Sequence, residues 1–234
     1  ASDVYKRQGD SLALHIFKPR NMQAGEKRPA IVYFFGGGWK LGSPIQFYRE
    51  CAYYASKGMI AVSVDYRIGY LHHSTPFESF EDAKDAICWL RSHASDYQLD
   101  PDKIAVAGGS AGGHLAAALG TIGSDETVPA GYRPNLSVLY YPVIDMVSRG
   151  YGFPEIKRDF EKISPIHHVS EATPSTLILL GTKDPIVSVE TIEAYQDKLL
   201  QKGVDCELHL FEGAGHPIFL YRKPLTEEYY KVRK

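Results

Sequence analysis

The 234-residue sequence is poor in cysteine, in long apolar runs and in net charge. Its three cysteines, Cys51, Cys88 and Cys206, are too few and too scattered for a disulfide framework or a zinc cluster. No apolar run approaches the roughly 20 residues of a membrane span, so we expect no membrane insertion. A net charge of −2 without a basic stripe also argues against nucleic acid and anionic membranes as partners.

The two ends of the sequence are its least typical parts. The first eight residues, ASDVYKRQ, resemble the leader that a translated cloning adaptor produces, and no signal-peptide pattern follows. The C-terminal stretch PLTEEYYKVRK predicts an amphipathic helix that is cut short. We expect a soluble protein, and the sequence decides neither its compartment, cytoplasmic or secreted and periplasmic, nor its oligomeric state.

Hydrophobic residues make up 44% of the sequence, which is enough for the core of one domain over residues 1–234. Seven short apolar runs predict strands, because many are rich in Val, Ile, Tyr and Phe. Several lack polar alternation, as strands of parallel sheets do. The runs are residues 12–17, 30–35, 59–64, 104–108, 136–141, 176–180 and 206–211.

Helical patterns separate these predicted strands. The stretch FESFEDAKDAICWLRSHA spaces Phe80, Ala83, Ile87 and Leu90 three or four residues apart, and TIEAYQDKLLQKG and FYRECAYYASKG show the same spacing. Alternating strands and helices predict an α/β fold with a mostly parallel sheet and helices on both of its faces. Residues 146–170 are the least regular part and predict a short excursion from the same domain.

The segment KIAVAGGSAGGHLAAALG carries the first chemical signal. Ser110 lies between a predicted strand and a predicted helix, with Gly108 and Gly112 on either side, the pattern of a sharp turn that projects a nucleophilic serine. A side chain at either glycine would collide with neighbouring elements, and the helix N-terminus stabilises developing negative charge. A glycine-rich loop that only turns the chain is the structural alternative. A phosphate-binding loop fits less well, because no Gly-Lys-Ser/Thr follows.

A second glycine cluster, Gly36, Gly37 and Gly38, follows another predicted strand directly. The backbone N–H groups of adjacent glycines can approach a ligand atom closely, as the tetrahedral oxyanion of ester hydrolysis requires. A flexible turn is the alternative, and the large Trp39 beside the glycines argues against it.

A serine nucleophile needs a base and an acid that orients the base. Of the nine histidines, His216 follows the last predicted strand, among small residues that let its loop lean over the sheet edge. Asp184 also follows a strand, whereas Asp197 lies on a helix and Asp205 precedes a strand. The chain order Ser110, Asp184, His216 is that of one hydrolase architecture, and all three follow strands whose carboxyl ends form such sites.

With these residues the sequence resembles the α/β-hydrolase fold, and more narrowly the carboxylesterases related to hormone-sensitive lipase and to bacterial carbohydrate esterases. The resemblance spans roughly residues 12–230 and rests on FFGGGW, VSVDYRI, the stretch from EDAKDAI to GGHLAA, SPIHHVSEATPSTLILLGTKDPIVSVE and GAGHPIF. It implies Ser110 as nucleophile, Asp184 as acid and His216 as base. It further implies an oxyanion hole of the N–H groups of Gly37, Gly38 and Ala111, about seven or eight strands, no metal and no cofactor.

Three features depart from the pattern of these relatives. They usually carry a His that braces the loop before the three glycines, where this chain has Phe35, so the brace is missing while the N–H donors remain. Many lipase-like relatives have Asp where this chain has Gly109, and the form Gly-Gly-Ser-Ala-Gly-Gly-His is more like the acetyl xylan and feruloyl esterases. The large N-terminal cap of the hormone-sensitive-lipase relatives is also absent, which suggests an open site.

We therefore predict a serine esterase that hydrolyses short-chain acyl esters through an acyl-enzyme, with acetyl or feruloyl groups on plant polysaccharide as substrates. The expected ligand is a small-molecule or oligosaccharide ester. A peptidase of the prolyl oligopeptidase group and a non-catalytic ligand-binding member of the fold are the alternatives. Trp39 and Phe153 lie in loops at the predicted edge of the site, where an aromatic face could stack on a sugar or feruloyl ring.

Overall fold

One sheet of eight strands organises the residues that the computed structural model describes, which are 2–7, 10–123, 130–146 and 159–218. The strands are β1 (Ser2–Arg7), β2 (Asp10–Phe17), β3 (Arg28–Phe34), β4 (Ile60–Val64), β5 (Leu99–Gly109), β6 (Leu136–Tyr140), β7 (Ser175–Gly181) and β8 (Cys206–Phe211). Their order is β1-β2-β4-β3-β5-β6-β7-β8. The β1–β2 and β2–β4 pairs are antiparallel, and every pair from β4 to β8 is parallel.

Helices fill most of the connections between these strands. They are α1 (Tyr48–Ser56), α2 (Gly69–His72), α3 (Pro76–Ser92), α4 (Ala94–Tyr97), α5 (Ala111–Thr121), α6 (Phe160–Ile163) and α7 (Val189–Gln201). Short 3-10 turns span Pro44–Phe47, Ala130–Tyr132 and Pro165–His167. In the part of the chain that the structure describes, no helix is both long enough and apolar enough to cross a membrane.

The predicted mostly parallel α/β fold is confirmed, and each of the seven predicted strands is present. The predicted face of α3 is also confirmed, because Phe80, Ala83, Ile87 and Leu90 are all buried. Helix α3 begins at Pro76, one residue before the predicted stretch, because Thr75 caps it: the Thr75 N–H donates to the carboxylate of Glu78, and the Thr75 hydroxyl accepts from the N–H of Phe77.

Two differences from the predicted strands have a common cause in strand pairing. Strand β1 lies in the stretch that resembles a leader, where the sequence shows no apolar run, and it forms because β2 offers an antiparallel partner. Strand β5 begins at Leu99 instead of residue 104, because Leu99 pairs with Arg28 of β3 across an irregularity in the register. Pairing across a sheet thus overrides weak local preference.

Part of the predicted excursion, residues 147–158, and the predicted C-terminal helix lie outside the described residues. Two hydrogen bonds from backbone N–H groups hold the described part of the excursion, one within it and one to the residues that precede it. The N–H of Met146 donates to Ser164 Oγ at 2.9 Å, and the N–H of Ile166 donates to the carbonyl of Ile144 at 3.1 Å.

A buried ion pair ties the segment after β4 to α3. The guanidinium of Arg67 donates to both carboxylate oxygens of Asp82, with an Nη2–Oδ1 distance of 2.8 Å, and the two side chains are almost fully buried. The backbone N–H of Arg67 also donates to Asp82 at 2.9 Å. This bidentate arrangement satisfies the buried charges and fixes the helix against the sheet.

Candidate active site

Ser110 lies at the sharp turn between β5 and α5. Its φ of 56° and ψ of −118° are rare for a residue with a side chain and place strain at this position. Its N–H donates to the carbonyl of Tyr140 at 3.0 Å, and its carbonyl accepts from the N–H of His114 at 2.9 Å. A Cβ on Gly112 would lie 2.0 Å from the carbonyl oxygen of Phe34, which confirms the collision predicted from the sequence.

The structure brings the three predicted triad side chains together. Ser110 Oγ lies 3.0 Å from His216 Nε2, and His216 Nδ1 lies 2.6 Å from Asp184 Oδ2. Because an ionised carboxylate only accepts hydrogen bonds, the proton of neutral His216 lies on Nδ1. Nε2 is then the acceptor for the hydroxyl proton of Ser110, which is the arrangement that a general base requires.

Asp184 is held in its ionised form by the groups around it. Burial raises the pKa of its carboxyl group, but hydrogen bonds from His216 and from the N–H groups of Val187 and Ile186 outweigh burial and lower the pKa below the ordinary aspartate value. The two backbone bonds reach Oδ1 at 3.0 and 2.8 Å, while Oδ2 is left for His216. The carboxylate is therefore both charged and fixed in orientation.

The loops that carry Asp184 and His216 are bound to each other. The N–H of Thr182 donates to the carbonyl of Phe211 at 3.0 Å, and the N–H of Lys183 donates to the carbonyl of Ala214 at 2.8 Å. The hydroxyl of Thr182 accepts from the N–H of Gly213 at 2.8 Å. These bonds continue the pairing of β7 and β8 past the C-terminal ends of the two strands. Backbone contacts therefore set the spacing between the acid and the base.

Tyr141 is a site residue that the sequence analysis did not assign a role. Its ring packs against the ring of His216, with 4.6 Å between centroids and 63° between planes, and it is 2% exposed. Its N–H donates to the carbonyl of Leu179 at 2.7 Å. The signal that could have found it is its position directly after β6, at the same sheet edge as the triad.

The glycine loop after β3 lies against the nucleophile. Gly37 and Gly38 have φ values of 144° and 63°, and the carbonyl of Gly37 accepts from the N–H groups of Lys40 and Leu41, which closes a tight turn. Ala111 is the first residue of α5, where the N–H groups have no acceptor within the helix. The oxyanion role of Gly37, Gly38 and Ala111 stays a prediction that this placement favours.

Phe35 replaces the histidine brace by apolar packing. Its ring is fully buried and stacks on Tyr66, with 4.1 Å between centroids and 14° between planes. The Tyr66 hydroxyl donates to the carbonyl oxygen of Phe35 at 2.7 Å. The loop that follows Phe35 therefore has a brace, made of a different side chain from the one that the relatives use.

The prediction that Trp39 forms a wall for substrate is wrong for this structure. Trp39 is 1% exposed, and its ring meets the ring of His114 edge to face at 5.1 Å. Burying so large an apolar ring is favourable, and it leaves no face for a ligand. Phe153, the other predicted wall residue, lies outside the described residues.

The described residues show no candidate metal site, and a cavity among them lies away from the triad. Across residues 2–7, 10–123, 130–146 and 159–218, no three His, Cys, Asp or Glu side chains group as a metal site. A cavity of about 900 Å³ lies beside the end of β2 and the last turn of α1, lined in part by Lys18, Arg20 and Lys57. None of its lining residues belongs to the triad or to the glycine loop.

A strained serine, a histidine hydrogen-bonded to it and an aspartate whose pKa is lowered lie at the carboxyl ends of parallel strands, which is the arrangement of serine hydrolases of the α/β-hydrolase fold. The comparisons with known proteins agree with this arrangement, and several of the similar proteins are esterases by name. Residues 14–152 match the BD-FAE family, which covers more than half of the chain, and the chain belongs to that family.

Three similar proteins are esterases by name. A thermophilic esterase from Thermogutta terrifontis, Est2, has a solved structure with a TM-score of 0.90 and 35% identity, covering 100% of this chain and 88% of that one. The probable carboxylic ester hydrolase LipM of Mycobacterium tuberculosis is 27% identical over 84% of this chain and 51% of its own. The acetylxylan esterase of Xylanibacter ruminicola is 26% identical over 80% of this chain and 40% of its own. The chain thus spans about half the length of the curated relatives it matches.

Proposed function

We propose that the protein is a serine carboxylesterase that works through an acyl-enzyme. The single observation that carries the proposal is the continuous hydrogen-bonded line from Ser110 Oγ through His216 to Asp184, at distances of 3.0 and 2.6 Å. The line ends on a carboxyl group whose pKa is lowered, so the charge that must stabilise an imidazolium is present.

The reaction follows from this geometry in two balanced halves. Ser110 Oγ attacks the ester carbonyl while its proton passes to His216 Nε2, and the carbonyl oxygen becomes an anion beside the glycine loop. The C–O bond to the alcohol then breaks, and the alcohol leaves with the proton from Nε2. Water repeats the sequence on the acyl-enzyme, which releases the acid and restores the Ser110 hydroxyl.

Short acyl groups are the substrates that we propose. The Thermogutta terrifontis esterase, similar to this chain over its whole described fold, has been solved with propionate bound and with butyrate bound. The acetylxylan esterase of Xylanibacter ruminicola supports acetyl groups on a plant polysaccharide as the natural ester. We favour acetyl over feruloyl on the name of this relative alone, because burial of Trp39 removes a predicted face for a sugar ring and for a feruloyl ring alike.

A panel of esters tests this assignment. The purified protein is assayed on p-nitrophenyl esters of two, four and ten or more carbons, on acetylated xylan, on a feruloyl ester and on a peptide amide, with Ser110→Ala as the matched control. We expect acetyl and butyryl esters and acetylated xylan to be cleaved, and Ser110→Ala to cleave none of them. Preferred cleavage of the long ester would place the protein nearer the lipases, and cleavage of the amide alone would favour the peptidase alternative.

A further inference from the structure

Gln46 contacts the glycine loop next to the nucleophile, although it belongs to neither the triad nor that loop. Its Oε1 accepts from the N–H of Gly36 at 2.6 Å. A Cβ on Gly36 would lie 3.3 Å from Ser110 Cβ and 3.5 Å from Gln46 Oε1. Ser110 and the amide oxygen of Gln46 therefore both lie close to Gly36.

The turn that carries Gln46 is anchored to the sheet on both sides of this residue. The buried hydroxyl of Ser63, on β4, donates to the carbonyl of Pro44 at 2.7 Å. The ring of Phe47 is buried and stacks on Tyr33 of β3, with 4.8 Å between centroids. Gln46 is thus presented to the glycine loop by a rigid support, which is what precise placement of a catalytic loop needs.

Three adjacent glycines have little intrinsic preference for one backbone conformation. The hydrogen bond from Gly36 to Gln46 fixes the first peptide of the run, and the Phe35–Tyr66 stack fixes the residue before it. The peptide groups of Gly37 and Gly38 follow directly, and their N–H groups are the predicted oxyanion donors.

We propose that Gln46 is a positioning residue, which orients the oxyanion loop by accepting the Gly36 N–H. This inference rests on the proposed esterase function. In similar enzymes the usual histidine before the glycines braces this loop. Here we assign part of that bracing to the side chain of Gln46, which lies ten residues after Gly36. Gln46 makes no covalent or proton-transfer step, and its effect passes through the backbone of the loop.

Two exchanges at Gln46 and one control test this role. Gln46→Met has a similar length but no acceptor, so we expect kcat for p-nitrophenyl acetate to fall about 10- to 100-fold, somewhat less than the roughly 100- to 1,000-fold loss of a direct oxyanion donor. KM should change by less than about threefold, because the ground state does not need the oriented donors. Gln201→Glu, an exchange at an exposed position near the end of α7, should leave kcat and KM unchanged.

Gln46→Glu gives a readout that a merely structural role would not produce. A glutamate keeps an oxygen for the Gly36 N–H, but its negative charge lies beside the developing oxyanion and lowers kcat. Protonation removes that charge, so the ratio of the kcat of Gln46→Glu to the wild-type kcat should rise at least about fivefold as the pH is lowered from about 8 to about 5.

The outcomes separate this inference from the proposed function. A wild-type protein without activity on any ester in the panel would contradict the proposed function itself. An active wild type beside a folded Gln46→Met of nearly wild-type kcat would overturn the positioning role alone. If Gln46→Met does not fold, as judged by circular dichroism, the pH dependence of the Gln46→Glu ratio decides: a rising ratio supports the inference and a constant ratio overturns it.

Discussion

The exchange Asp184→Asn tests how the triad depends on a single proton. Asp184 Oδ1 accepts from two backbone N–H groups, and Oδ2 accepts from His216 at 2.6 Å. An asparagine can keep its oxygen on the two backbone groups, which preserves the loop. Its NH₂ group then faces His216 Nδ1, which must become an acceptor, so the imidazole proton moves to Nε2 and points at Ser110.

This wrong tautomer cannot accept the serine proton, and we expect kcat to fall by about 10⁴, which is about 5 kcal/mol in the activation free energy. The fold should be little affected, because the backbone hydrogen bonds of Asp184 are retained. Asp184→Ala should lose a similar factor in kcat and also melt at a lower temperature, since it leaves the Ile186 and Val187 N–H groups without their acceptor.

The assay compares kcat for p-nitrophenyl acetate, with melting temperature as the measure of folding. Asp197→Asn and Asp205→Asn are matched controls, because both aspartates are exposed, Asp197 on α7 and Asp205 before the first residue of β8. We expect both controls to be close to wild type. Retention of more than about a tenth of the wild-type kcat by Asp184→Asn, or a crippled Asp205→Asn, would refute the tautomer argument.

Three further predictions follow from packing and charge. Tyr141→Ala removes the ring that packs on His216, so kcat should fall at least about tenfold while Tyr141→Phe stays near wild type; equal activity of the two would contradict this role. Burial lowers the pKa of His114 to about 4, so the unfolded chain takes up a proton first and stability is lost as the pH falls from the ordinary histidine value of 6.5 towards 4. The loss of unfolding free energy should be roughly 3 kcal/mol, and His114→Gln should reduce it. Urea midpoints at about pH 7 and about pH 4.5 measure this loss, and a loss that is the same in His114→Gln would contradict the prediction. Asp82→Asn leaves the buried guanidinium of Arg67 facing a neutral amide and should cost about 3–5 kcal/mol of unfolding free energy, whereas a loss below about 1 kcal/mol would show that the pair is dispensable.

The sequence predicts the parts of the site that depend on strand ends. Ser110, Asp184 and His216 each follow an apolar run, and parallel strands bring their carboxyl ends to one edge, so periodicity and glycine pattern were sufficient to select them. The prediction that Trp39 faces the substrate was wrong because a loop position does not show which way a ring points. Burying the large apolar indole ring is more favourable than exposing it.

The contacts that Tyr141 and Gln46 make were beyond reach of the sequence for a different reason, although the position of Tyr141 after β6 was visible. Each acts through a contact between segments that are far apart in the chain, Tyr141 with His216 and Gln46 with the loop against Ser110. No local pattern records such a contact. Phe35 shows the converse case, since its departure from the usual histidine was visible in sequence but its partner Tyr66 was visible only in the fold.

The most direct test of the account is covalent labelling of Ser110 by an organophosphonate. We predict that the purified protein takes up one equivalent, that peptide mapping places it on Ser110, and that esterase activity is lost in step with labelling. Ser110→Ala should take up none and keep its fold, because a small residue still suits the turn. Labelling at another residue, or a Ser110→Ala protein that retains most of its turnover, would contradict the central claim.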